Sequence, residues 1–356
     1  MSYDVTRKIL AVESYKPVSG ECDIHLDANE SFIDIFKEAP YLADKIADEI
    51  KNISVNRYPD PYASGVTAAF SEYYGIPEKY LTAGNGSDEL ISLIISALLQ
   101  KGETIVTLSP DFSMYAFYGS ISEVKVHQMK KEDNLSVSIP KLIEYCNNNS
   151  VSAVIFSNPC NPTSLGVSRS DIIKLVRNLF CLVVIDEAYM DFWGLENSVA
   201  DAVEEYDNLI VLKTCSKSMG LASARTGFAA AGEKLTKVLR TVKSPYNTDG
   251  LSQAAVKAVL SEKNLLKANT ERIIESRKAL NKALIGLAEK YDRLDKVYES
   301  VTNFVLVRTS HAEEIQKKLM ERSISVRCAG SGYLRITAGS EEENKALIDA
   351  LEDILK

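Results

Sequence analysis

The run Leu182-Val183-Val184-Ile185-Asp186-Glu187-Ala188-Tyr189 decides how the chain is read. Four consecutive apolar residues without alternation describe a strand buried on both faces, as in a parallel sheet covered by helices on either side. A carboxylate follows at the strand's carboxyl end, the edge where open α/β sheets bind ligands. The pattern recurs on both sides of this run. TIVTL (104–108), VSAVIF (151–156), CLVVI (181–185) and LIVL (209–212) are near-continuous apolar stretches bounded by polar turns. Between them, segments such as 89–99 (ELISLIISALL) and 170–179 repeat apolar residues at three and four, the spacing of an amphipathic helix. This alternation predicts an α/β protein with a mostly parallel, doubly wound sheet.

After about Pro245 the pattern changes to long helical stretches over 252–290. VYESVTNFVLVRT (297–309), ISVRC (324–328) and YLRIT (333–337) follow, and a helix from Glu341 closes the chain. The expected organisation is a segment over 1–30 that packs with a small domain or a partner, a large domain over 31–245, and a small α+β domain over 246–356. With 356 residues, 46% apolar side chains, 10 prolines and 17 glycines, the chain is neither disordered, collagen-like nor fibrous. Its 41 lysines and arginines against 49 aspartates and glutamates leave a net charge of −8, with no basic patch, which argues against a nucleic-acid partner. Cys22, Cys146, Cys160, Cys181, Cys215 and Cys328 form no CxxC pair, and His25, His127 and His311 stand far apart. A disulfide framework or a metal site is therefore not expected. The opening MSYDVTRKIL lacks a signal pattern and no apolar run is long enough to span a bilayer, so the expectation is a soluble cytoplasmic protein without a membrane partner.

Four elements carry candidate chemistry. Asp186 is the candidate working acid, the alternative being a cap on the following turn. A second strand, LIVLKT, runs into Cys215-Ser216-Lys217-Ser218-Met219-Gly220-Leu221-Ala222-Ser223-Ala224-Arg225. Small and apolar neighbours around Lys217 fit a lysine facing a close ligand, whereas a solvated lysine usually has charged neighbours. Ala83-Gly84-Asn85-Gly86-Ser87-Asp88-Glu89 is a glycine-rich turn opening a helix, which suits an anion; an ordinary Ser87 N-cap is the alternative. Ser157-Asn158-Pro159-Cys160-Asn161-Pro162-Thr163 is a proline-fixed turn after a strand, and turn chemistry alone explains it equally well.

Together, and in this order, these elements resemble the fold-type I, pyridoxal-phosphate-dependent aminotransferases of classes I and II. The resemblance covers essentially the whole chain and extends to the histidinol-phosphate aminotransferases within that group. It rests on LDANE (26–30), NRYPDPY (56–62), GNGSDE (84–89), SPDFSMY (109–115), NPCNPT (158–163), VVIDEAYMDF (183–192), TCSKSMGLASARTGF (214–228), SPYNTDGLSQ (244–253), and Val326-Arg327 followed by YLRITAG (333–339).

The resemblance implies an enzyme with pyridoxal 5'-phosphate as cofactor, which needs a bonding lysine, a carboxylate on its ring nitrogen and a phosphate anchor. It implies Lys217 as the Schiff-base lysine and proton shuttle, Asp186 as the partner of the pyridinium nitrogen, and Asn161 and Tyr189 as donors to the ring oxygen. Tyr115 is expected against the ring face. The main-chain amides of Ser87 and Asp88, with Ser216 and Arg225, are expected on the phosphate, joined by Tyr58 from the other subunit of a homodimer. Substrate contacts are implied for Tyr15, Asn29, Asn247, Arg327 on a substrate phosphate, and Arg335 on an α-carboxylate. The implied reaction is transamination between histidinol phosphate and 2-oxoglutarate in histidine biosynthesis. A threonine-phosphate decarboxylase and a broad aromatic or branched-chain aminotransferase remain as alternatives on the same scaffold. Two departures from the group's usual pattern stand out: Ser164 replaces the glycine of Asn-Pro-Thr-Gly, and the loop from Arg327 to Arg335 is short.

Overall fold

The computed structural model describes residues 22–330 and 332–356. Its strands, in chain order, are β1 (Ile24–Leu26), β2 (Leu81–Asn85), β3 (Thr104–Ser109), β4 (Lys125–Lys130), β5 (Ala153–Ser157), β6 (Leu182–Asp186), β7 (Leu209–Thr214), β8 (Thr226–Ala231), β9 (Lys296–Val297), β10 (Phe304–Arg308), β11 (Ile324–Cys328) and β12 (Tyr333–Thr337). They form a seven-stranded sheet ordered β2-β8-β7-β6-β5-β3-β4 and a five-stranded sheet ordered β1-β11-β12-β10-β9.

The large sheet is parallel from β7 to β4, and β8 runs antiparallel to both of its neighbours. Its unbroken apolar runs have a direct cause in the pleat. Val183 and Ile185 enter one core with Val154, Phe156 and Val211, while Val184 enters the opposite core with Ile155, Ile210 and Leu212. Successive side chains point to opposite faces, and both faces are dry. Helix Gly86–Leu98 covers one with Leu90, Ile91, Ile94 and Ile95. Helix Arg169–Asn178 covers the other with Ile172, Leu175 and Val176. Each such side chain contributes about 1.5–3 kcal/mol on burial.

The second sheet has its own core, in which Leu280, Leu284 and Leu287 of helix Lys263–Lys290 meet Ile315, Leu319, Leu347 and Leu351. The long helical stretch after Pro245 is two helices, Gly250–Leu260 and Lys263–Lys290, separated at Ser261 and Glu262. The closing helix Glu341–Leu355 begins with a capping box between Ser340 and Glu343. β1 pairs in parallel with β11, and Leu26 enters this second core; the chain reaches the large sheet at β2 only after three α-helices.

Ser164 helps to tie the two parts together. Its backbone is left-handed, with φ of 62°, a conformation that costs a non-glycine residue roughly 1–2 kcal/mol. The hydroxyl offsets this by donating to Glu299 O at 2.8 Å, and Ser164 O accepts from Val301 N at 3.0 Å. Among the described residues, no helix is long and apolar enough to cross a membrane.

Candidate active site

The carboxyl ends of β5, β6 and β7 open on one cavity of about 620 Å³, lined by Ser157, Asn161, Asp186, Tyr189, Ser216 and Lys217 among others. Arg335 of β12 and Ala28, Asn29 and Glu30 close it from the side of the small sheet. Ser87, Asp88 and Arg225 line its far end. Residues as far apart in the chain as Ala28 and Arg335 thus meet because strand ends of both sheets face one gap.

Asp186 is the last residue of β6 and is buried. Burial pushes its pKa up to about 6, against two hydrogen bonds that favour the carboxylate. Those bonds come from the Tyr115 hydroxyl to Oδ2 at 2.9 Å and from Ala188 N to Oδ1 at 3.1 Å. Among the described residues, no lysine, arginine or histidine forms a salt bridge with it.

The position of Tyr115 corrects the expectation from the sequence. Its ring is fully buried and does not line the cavity; Phe112 and Met114 do. Helix Met114–Ile121 begins just before Tyr115 and turns its ring into the core beneath the site. Phe112, three residues earlier in the connecting loop, is left at the surface of the cavity. Both lie in one aromatic cluster, and that cluster is the only signal the sequence held for Phe112.

Lys217 follows β7 in a loop of small residues. Its Nζ donates to Ala28 O at 3.1 Å and lies 5.9 Å from the centre of the Tyr189 ring. Burial, and then the nearby charge of Arg335, pull its pKa down to about 8. The Tyr189 hydroxyl accepts from Asn29 Nδ2 at 2.9 Å, and burial pushes its pKa up to about 12. Asn29, left-handed at φ 54°, is fixed in turn by Thr337, whose Oγ1 accepts from Asn29 N at 3.0 Å and donates to Oδ1 at 3.2 Å.

At the far end, helix Gly86–Leu98 starts after Asn85 with no side-chain cap, so the expected alternative of a Ser87 cap does not hold. Gly86 has φ of 76°, and a Cβ there would fall 2.8 Å from Nη2 of Arg225. Glycine therefore keeps the space in front of the guanidinium open. Arg225 Nη1 donates to Ala222 O at 3.1 Å and to Ser216 Oγ at 3.4 Å. Asp88 turns Oδ2 toward the Tyr118 hydroxyl at 2.6 Å.

On the opposite wall, Arg335 donates through Nη1 to Asn161 Oδ1 at 2.7 Å and through Nη2 to Asp27 O. Arg327 stands directly across from Arg335 in the antiparallel pairing of β11 and β12. Directly paired residues share a sheet face, so the two guanidinium side chains project from the same side.

Of the expected site residues, Tyr58, Asn247 and Arg327 are not among those that line this cavity. Tyr58 is 80% exposed and stacks on Tyr246 with ring centres 4.6 Å apart. Asn247 binds within the chain: Nδ2 donates to Glu89 Oε2 at 2.8 Å, and Oδ1 accepts from Lys243 Nζ at 2.9 Å. Tyr15 lies outside the described residues.

A buried carboxylate, a lysine amine and an uncapped helix start beside an arginine thus meet on the carboxyl edge of a mostly parallel sheet. The family model for aminotransferase class I and II matches residues 23–351, and the chain belongs to that family. A histidinol-phosphate aminotransferase of Clostridium novyi is 39% identical over 348 residues, covering 96% of this chain and 95% of the relative. One from Clostridium kluyveri is 41% identical over 338 residues, covering 94% and 93%. Within the class, the chain is thus a member of the histidinol-phosphate aminotransferase family. The crystal structure of histidinol-phosphate aminotransferase from Sinorhizobium meliloti in complex with pyridoxal-5'-phosphate superposes with a TM-score of 0.88 at 21% identity, covering 100% of this chain and 98% of the other. It shares the fold.

Proposed function

We infer that the chain is a pyridoxal-phosphate-dependent aminotransferase that exchanges an amino group between histidinol phosphate and 2-oxoglutarate in histidine biosynthesis, and that it works as a cytoplasmic homodimer. The observation that carries this reading is the convergence of Lys217, Asp186 and Arg225 on one cavity.

The residues present fit the cofactor. Asp186 is a buried carboxylate whose counter-charge a protonated ring nitrogen would supply. The space that Gly86 keeps open before Arg225, at the positive end of an uncapped helix, suits a phosphate. When bound, the cofactor supplies a carbonyl carbon for amines and a cationic ring that withdraws electrons from the substrate Cα.

The side chains have separable tasks. Lys217, with its pKa depressed to about 8, holds a neutral amine more readily than a solvated lysine; it would hold the cofactor and would take and return the proton at the substrate Cα. Asp186 would hold a proton on the ring nitrogen. Tyr189 and Asn161 are assigned to the ring oxygen, and Phe112 replaces Tyr115 as the residue against the ring face. The amides of Ser87 and Asp88, with Ser216 and Arg225, are assigned to the cofactor phosphate. Asn29 sets the orientation of Tyr189. Arg335 is suited to an α-carboxylate, for which a guanidinium fork is complementary, and Arg327, on the same sheet face, to the phosphate of histidinol phosphate.

Support for the dimer comes from three large apolar side chains left exposed within one short stretch, Val55, Tyr58 and Tyr62. In a dimer that covers this stretch, Tyr58 would reach the neighbouring subunit's cofactor phosphate. The six cysteines are all free, as in reducing compartments.

A single-turnover panel tests the reading. Histidinol phosphate should convert the bound cofactor to its pyridoxamine form faster than phenylalanine does, and glutamate should do so as the second amino donor. Carbon dioxide release from phosphothreonine, without conversion by histidinol phosphate, would overturn it in favour of a decarboxylase.

A further inference from the structure

Behind the side chains that face the cavity lies a second set that faces away from it. Lys217 and Tyr189 line the cavity, whereas their neighbours Ser218 and Asp191 do not. Ser218 is buried, and its hydroxyl donates to Asp191 Oδ2 at 2.7 Å. Tyr74, the last residue of helix Ser64–Tyr74, donates its hydroxyl to the same carboxylate, with Oδ1 and Oδ2 both at 3.0 Å. Lys213 Nζ lies 4.8 Å from the centre of the Tyr74 ring and 2.9 Å from Glu187 Oε2. The reaction as described gives Asp191 no task.

The direction of these bonds follows from Tyr74. Burial, and then the charge of Asp191, push the Tyr74 pKa well above its ordinary value, so the hydroxyl keeps its proton and donates. Asp191 sits in the short turn Met190–Phe192, two residues after Tyr189. Ser218 directly follows Lys217. One carboxylate therefore joins the turn that carries Tyr189 to the loop that carries Lys217, and Tyr74 ties both to a helix of the large domain. A lysine amine hangs on a flexible four-carbon stem, so its reach depends on where its backbone is held. The loop's own closures, Gly220 N to Lys217 O and Leu221 N to Cys215 O, both at 3.1 Å, are internal to it and do not set its distance from Tyr189.

We propose that Asp191 is a positioning residue which, by binding Ser218 and Tyr74, fixes the Lys217 backbone against the Tyr189 turn and thereby keeps the Lys217 amine in dry surroundings and within reach of the substrate Cα. The inference rests on the site reading given above. The charges acting on Lys217 are those of Arg335, Glu30, Arg225 and Asp186, and none of them belongs to this link. Loss of the link therefore acts on Lys217 through solvent entry and misplacement, not through a changed charge.

Ser218→Ala removes the link and leaves Asp191 its bond from Tyr74; Tyr74→Phe removes that bond and keeps the ring beside Lys213. In cofactor-free protein, the pH midpoint of amine-directed labelling at Lys217 should move up from about 8 toward the ordinary lysine value in both variants. In cofactor-loaded protein, kcat for glutamate and for histidinol phosphate should fall about three- to tenfold, the scale of one ordinary hydrogen bond, with KM changed by less than about twofold. The primary isotope effect on kcat with Cα-deuterated glutamate should rise, because a misplaced amine slows the proton transfer itself. Ser218→Thr, which keeps the hydroxyl, should restore all three readings. A labelling midpoint unmoved in both variants, or a loss confined to KM, would overturn the proposal while leaving the site reading intact. A pyridoxyl label away from Lys217 in the wild type would overturn the site reading and this inference with it.

Discussion

The Tyr115 hydroxyl stands 2.9 Å from Oδ2 of Asp186 in a fully buried setting and donates a proton to it. This bond opposes the effect of burial, which has already pushed Asp186 up to about 6. The sign of its removal follows. Tyr115→Phe raises the Asp186 pKa further, and a protonated Asp186 cannot serve as the anionic partner of a ring nitrogen. Cofactor affinity, read by fluorescence against pH, should therefore fall on the acid side near pH 6 in the wild type and at higher pH in the variant. A hydrogen bond to a charged group corresponds to about 1.5–3 kcal/mol. Identical pH profiles would show that Tyr115 only fills space.

Lys217 should betray its environment before any cofactor is added. With a pKa of about 8 it is roughly one-tenth neutral at pH 7, hundreds of times more than an ordinary lysine. In cofactor-free protein, amine-directed labelling mapped to Lys217 should rise through a midpoint near pH 8. A midpoint near the usual lysine value, above 10, would contradict the account.

The two arginines should differ in their substrate profiles. Arg327→Ala should lower kcat/KM for histidinol phosphate by roughly ten- to a hundredfold, the scale of a lost charge-assisted pair, and barely affect phenylalanine. Arg335→Ala should damage glutamate and phenylalanine through their α-carboxylate, and histidinol phosphate as well, whose phosphomethyl group takes the carboxylate's place on Cα. Equal losses across all substrates for both variants would assign them to the fold.

Much of this was legible in the chain because the parallel strands β5, β6 and β7 are covered on both faces and so read as continuous apolar runs. Their carboxyl ends, and with them Asp186 and the Lys217 loop, followed directly. β8 was not legible, because Thr226-Gly227-Phe228-Ala229-Ala230-Ala231 is built of small residues with little β preference; a Cβ on Gly227 would fall 2.4 Å from Ser87 N. Phe112 and Tyr115 could not be told apart, since pattern alone does not fix where the loop ends and the helix begins. The contact from Asp111 to Ser157 was hidden because it joins side chains from two segments far apart in the chain.

Subunit sharing can be tested by complementation. Lys217→Ala and Tyr58→Ala homodimers should each be impaired at both sites. A hybrid of the two carries one site with an intact Lys217 and the neighbour's intact Tyr58, so mixing after mild dissociation should restore part of the activity. Hybrids that form without rescue would show that each subunit builds its site alone.

Borohydride reduction of the cofactor-loaded enzyme, followed by peptide mapping, tests the central claim most directly. The account predicts one pyridoxyl label, on Lys217, and none in Lys217→Ala. A label on Lys213, which is buried against Glu187 at 2.9 Å, or on Lys243 would contradict it.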